Sequence, residues 1–240
     1  MPRITDKRRR PISFLYVFKF QDGEAKSYKI ELAAETLAMS PAGGAPPEWA
    51  ALGFHRCDGC ALDEKEHQFC PVAENMAPVV AEFSGRASSD PAFVSVYTAR
   101  RDYSKSTSMQ DGLSSLFGII MTTSGCPAMD YLRPLVRYHQ PFTSIHENTF
   151  RTASMYLLMQ FARKRNSLEP DWEMRGLEKI YTDIHKVNEA IANRLKAASG
   201  MEAPALALTR LDQAATLVPF LTDELLEELG PVIRKPYLED

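Results

Sequence analysis

The feature that most constrains this chain is a change of hydrophobic period near residue 105. Before it the signals are short and mostly β-like, with apolar residues at every second position; after it they are almost entirely helical, at every third or fourth. Phe14, Tyr16, Phe18 and Phe20 alternate with Leu15, Val17 and Lys19, and Tyr28, Ile30 and Leu32 alternate with Lys29 and Glu31 across the turn pair Asp22-Gly23. This predicts a β-hairpin with one aromatic face. Phe93 to Tyr103 reads as a third strand. Between these strands, residues 40 to 53 carry Pro41, Gly43, Gly44, Pro46, Pro47 and Gly53 and read as a loop, while Val72, Met76, Val79, Val80 and Phe83 fall at helical spacing.

From residue 106 onward the pattern predicts successive amphipathic helices. Leu113, Leu116, Phe117, Ile120 and Met121 form one stripe behind a cap at Ser108. Pro127 can open a helix that runs to about Tyr138. Ser144 and Glu147 have capping-box spacing ahead of Phe150, Ala153, Leu157 and Phe161. Leu177 to Leu195 keep three-four spacing and end at Gly200; shorter helices follow over 206 to 218 and 223 to 229, separated by Pro219 and stopped by Gly230. Core packing is the plain reading of each stripe. The expected class is therefore α+β: a small antiparallel sheet, made of a hairpin plus one strand, with a Cys-rich loop, followed by a C-terminal helical bundle. The expected organisation is a basic tail (1–10), a β-rich part (11–105) and a helical part (106–240) in one cooperative unit.

Charge and apolar content narrow the setting. With 28 basic and 31 acidic residues the net charge is -3, which gives no overall attraction to nucleic acid or an acidic membrane. The run Leu116 to Met121 is too short to span a bilayer. Ile12 to Phe18, behind the basic Lys7 to Arg10, ends at Lys19 without a small-residue cleavage site, so a cytoplasmic protein is expected. The tail, Arg100-Arg101 and Arg163 to Arg165 lack interleaved aromatics, which disfavours nucleic-acid binding. An oligomer through the helix of residues 171 to 196 is the alternative to packing within the chain. The partner, protein or small molecule, is not specified.

The four cysteines carry the clearest chemical signal. In the cytosol they read as thiols or metal ligands rather than disulfides. Cys57-Asp58-Gly59-Cys60 is a knuckle whose sulfurs can converge, Gly59 permitting the tight turn. Cys70 and Cys126 each precede a proline at an expected helix start, where free N–H groups and the helix dipole favour a thiolate. The expected metal ligands are Cys57, Cys60, Cys70 and Cys126, with His55 and His67 as substitutes. Structural zinc is the first occupant considered, an iron-sulfur cluster (4Fe-4S) the second, and reduced thiols without metal the third.

The phrases Phe54 to Cys57, Cys70-Pro71-Val72-Ala73, Tyr103 to Ser108, Thr123-Ser124-Gly125-Cys126-Pro127, Arg137 with His139 to Phe142, and Ser154 to Leu158 stand in an order that resembles an uncharacterised bacterial protein family, a domain of unknown function. The resemblance covers most of the chain. It implies that the four cysteines, in the order Cys-x2-Cys, Cys-Pro and Ser-Gly-Cys-Pro, belong to one pattern, and it implies no substrate.

A second constellation is Arg137, His139, Glu147 and Arg151, around a connection containing Pro141. It reads either as an anion-binding or acid/base cluster, with His139 moving protons, or as a capped helix with an i,i+4 pair. Gln110, Thr107 and Ser124 are further polar candidates. No Ser-His-Asp spacing, Walker loop, dinucleotide fingerprint or zincin motif is present, so no enzyme class is assigned. Three functions remain open: a zinc-bearing binding or regulatory component, an iron-sulfur redox or sensor protein, and an enzyme using the Arg137, His139 and Glu147 region.

Overall fold

The computed structural model describes residues 10–40, 43–198 and 202–238. Most of the expected basic tail, Pro41 of the loop and the helix stop at Gly200 lie outside the described residues. The aromatic alternation forms strand β1 (Ile12–Phe20), with Phe14, Tyr16, Phe18 and Phe20 all buried on one face. The Asp22-Gly23 turn returns the chain as β2 (Ala25–Leu32), pairing Phe14 with Ile30. On the other side of β1 lies β3 (Pro91–Thr98), antiparallel, which sets Val96 opposite Tyr16 and Val94 opposite Phe18. Large rings thus face short branched side chains, the cross-strand pairing that a half-buried sheet favours.

The sheet has one strand more than the sequence pattern indicates. Residues 93 to 103 are not one strand; β3 turns at Ala99–Arg101 and returns as β4 (Asp102–Ser108), giving the antiparallel order β2-β1-β3-β4. The α+β class stands, with two hairpins in place of a hairpin and a strand. β4 is an edge strand of Ser, Thr, Lys and Asp with Tyr103 its one apolar side chain, largely in water, so it shows no apolar alternation to read.

Two helices cover the aromatic face. Helix α1 (Pro71–Phe83) brings Phe83 edge-on to Phe18, ring centroids 4.7 Å apart. Helix α2 (Met109–Thr123) follows β4 directly, and the Ser108 side chain accepts from Asp111 N–H as its cap. It lies so close to the sheet that a Cβ on Gly112 would stand 2.4 Å from the Phe18 ring and 2.9 Å from Val94, so only glycine fits there. One apolar cluster continues from β1 through these helices to Val218.

The remaining helices are α3 (Arg133–Val136), α4 (Ile145–Arg165), α5 (Arg175–Ala197), α6 (Glu202–Leu217) and α7 (Thr222–Ile233). Helix α6 packs against both α2 and α5. The capping box holds: Ser144 Oγ accepts from Glu147 N–H, and Glu147 accepts from Ser144 N–H at 2.7 Å. Three expectations are corrected. Pro127 opens no long helix; a 3-10 turn at Asp130–Leu132 leads into the single turn of α3. Gly230 is no stop, since α7 continues through Pro231. The α4 stripe is not core, because Phe150 and Phe161 are exposed and the buried face is Thr149, Thr152, Ala153, Tyr156 and Gln160. No described helix is long and apolar enough to cross a membrane.

Candidate functional site

Two polar regions stand out, one at the cysteines and one in the helical part. The segment carrying the knuckle has little regular structure, so backbone pairing and arginine side chains hold it. Leu52 N–H donates to Gln68 O, Cys70 N–H donates to Ala50 O, and Ala51 bridges Phe69, which closes the loop base. Arg56 reaches across the loop to Glu64 at 2.9 Å, to Cys60 O at 3.2 Å and to Leu62 O at 2.5 Å. Cys60 N–H donates to Cys57 O, and Gly59 takes φ of +74°, the left-handed turn that the knuckle requires. Cys70 is the N-cap of α1, with Pro71 behind it.

Cys60, Cys70 and Cys126 all lie close enough to Cys57 to act on it electrostatically. Burial pushes the Cys57 thiol up to about 12, with Cys60 and then Cys126 and Cys70 adding to the shift. Burial also pushes Cys126 up to about 11, against the N–H groups of Met129 and Ala128 that favour its thiolate. At Cys126 this reverses the expectation that its place before Pro127 favours the thiolate. At Cys126 desolvation outweighs two N–H donors, and no full helix stands behind Pro127 to add its dipole. All four are free cysteines. The substitutes His55 and His67 are both exposed, and His55 packs edge-on to Phe54. Among the described residues no group of three or more His, Cys, Asp or Glu is arranged to hold a metal ion.

Sequence reasoning missed Arg194. It is 1% exposed, and its guanidinium donates to the carbonyls of Trp49 at 2.8 Å, Ala51 at 2.6 Å and Leu52 at 3.0 Å, tying α5 to the loop base. Its Nε is buried without a partner, and among the described residues no carboxylate pairs with it. Burial lowers its pKa, while Cys70, Cys57 and Cys60 act in the opposite sense. The available signal is its register: Arg194 stands three after Ile191 and seven after Val187, in the face read as core.

The second region is a cavity of about 330 Å³ beside β4, α2, α4, α5 and α6. Of the expected Arg137, His139, Glu147 and Arg151 cluster, only His139 and Arg151 line it. Arg137 instead donates to Ala34 O, fixing the chain after β2, and Glu147 serves the cap of α4. Arg151 donates to Leu135 O and Tyr138 O at 3.3 and 3.1 Å, and burial lowers its pKa. His139 Nε2 is 2.7 Å from Tyr16 Oη, which is 2.9 Å from Ser115 Oγ. Burial drives His139 down to about 3 and raises Tyr16, so the tyrosine O–H donates to a neutral imidazole. His139 keeps some accessible surface because its ring borders the cavity. Of the other polar candidates, Thr107 lines the cavity and donates to Asp111 at 2.8 Å, Ser124 donates to Met121 O, and Gln110 N–H donates to Ser88 O.

The arrangement gathers four thiols in one region and, apart from them, has a cavity large enough to admit a small molecule. Ser115 on the cavity wall is bonded to a tyrosine rather than directly to a base. Neither a curated protein nor a solved structure matches the chain. A family model matches residues 14–233, nearly the whole chain, and the protein therefore belongs to the family of the domain of unknown function DUF6901.

Proposed function

We propose that this is a cytoplasmic binding or regulatory protein in which Cys57, Cys60, Cys70 and Cys126 hold a structural zinc ion. The observation that carries this reading is Arg194, a buried cation without a carboxylate beside a group of thiols. An uncompensated buried charge is costly. Four thiolates around a dication form a net negative centre, which would supply the missing counter-charge. Zinc at its usual distance of about 2.3 Å from sulfur would draw the thiols together from the arrangement described above. It would also join the loop base to the Cys126 segment, contributing folding energy where regular structure is sparse.

Protein purified without oxygen should contain about one zinc per chain and show four thiols that react with a disulfide reagent only after chelation or unfolding. Cys57→Ser and Cys126→Ser should each lower the metal content and the melting temperature. A metal-free protein with four freely reactive thiols overturns the reading. A brown protein with broad visible absorption replaces zinc by the iron-sulfur alternative. An enzyme built on Arg137, His139 and Glu147 would need all three in one cleft, and only His139 lines the cavity.

A further inference from the structure

The wall of the 330 Å³ cavity is largely apolar, with Leu135, Val136, Phe142 and Leu211 contributing, and its volume lies within the range of small-molecule sites. Its charged residues are unbalanced. Lys105, Arg151 and Arg210 face it against one carboxylate, Asp111, which lies 2.5 Å from Arg210 Nε. Lys105 and Arg151 remain as positive charge on an apolar wall. Glu147 is close enough to act on both but is not part of the lining, and its carboxylate accepts from Ser144 N–H.

Asn188 adds an acceptor. It is 1% exposed, its Nδ2 donates to Asp212 Oδ1 at 2.9 Å, and its own Oδ1 is buried without a partner. A buried amide oxygen left unpaired costs free energy, and one that borders a cavity can recover it from a donor on an entering molecule. Gly118 is an independent sign. It sits within α2 on the cavity wall, and a Cβ there would meet nothing within 4 Å. Glycine inside a helix lowers stability relative to alanine, and no neighbour requires it here. What its missing side chain preserves is room in the cavity.

From these features we propose that the cavity is a binding site for a small hydroxy or amino organic acid. The carboxylate is held by Arg151 and Lys105, the apolar body by the Leu135 and Phe142 wall, and an O–H or N–H donates to Asn188 Oδ1. The site is separate from the cysteines and does not rest on zinc.

Calorimetric titration of the full chain with 4-hydroxyphenylacetate, 4-hydroxybenzoate and 6-hydroxyhexanoate tests this. At least one acid should bind; its methyl ester should bind at least about tenfold more weakly, and the analogue without the hydroxyl several-fold more weakly. Gly118→Leu should fill the cavity and abolish binding without lowering the melting temperature. Should that variant fail to fold, Ala214→Phe fills the space from α6. The proposal is overturned if none of the acids binds at millimolar concentration, if ester and acid bind equally, or if the filled variant still binds.

Discussion

The cysteine region and the cavity bury polar groups in opposite ways. Beside the cavity buried and half-buried hydroxyls and an imidazole are neutral and paired with one another: Ser115, Tyr16 and His139 form one chain, and Thr152 meets Tyr181 at 3.1 Å. At the cysteines a guanidinium is buried with its charge, held by three carbonyls and, among the described residues, by no carboxylate. A neutral network is satisfied within the protein and can leave open space beside it. A buried cation makes the loop base depend on whatever negative charge collects near it.

The contrast is broken most directly at Arg194. Arg194→Ala strands three carbonyls and should cost about 3 kcal/mol or more in urea unfolding; a loss below about 1 kcal/mol would mean the charge was already compensated by water. Next in size is acid sensitivity. The folded pKa of His139, about 3, lies below its ordinary value of 6.5. The unfolded chain therefore binds its proton first, and the stabilisation is complete above pH 6.5. It is lost as pH falls from there toward 3, by at most about 1.4 kcal/mol per pH unit. His139→Gln should flatten that part of the stability profile, and an unchanged slope would remove His139 as its source.

Tyr16→Phe comes third. It leaves His139 Nε2 and Ser115 without their shared partner, and should lower stability by about 1–3 kcal/mol with no effect on thiol reactivity at the cysteines. A change in that reactivity would show that the two regions are not separate. The smallest effect belongs to Phe161→Ser. At 50% exposure it should stay within about 0.5 kcal/mol of the parent, and a larger loss would restore the α4 stripe to the core.

What the residue pattern discloses follows from how each element meets water. β1 has one dry face, so its aromatics announce it, and Ser144 with Glu147 announces α4 because both caps are local contacts. β4 is wet on both sides and announces nothing. Helix α4 carries apolar residues on more than one face, and periodicity cannot tell which face turns inward when Thr149 and Thr152 are the buried ones. The cysteines were legible through their knuckle and prolines, but the raised pKa of Cys57 and Cys126 was not, since desolvation depends on what lies over them. Arg194 and the cavity were hidden for one reason. Their residues sit inside helical stripes that look like ordinary core, and only the packing of β4 and several helices distinguishes a filled position from an empty or charged one.

The turn after Cys126 has one more consequence. Met129 N–H donates to Cys126 O, and Met129 itself lines the cavity, so three residues of chain join a thiol to the wall of the small-molecule site. Were both proposed sites filled, thermodynamic linkage would make any effect reciprocal: whatever factor an acid in the cavity applied to metal affinity, the metal would apply to the acid.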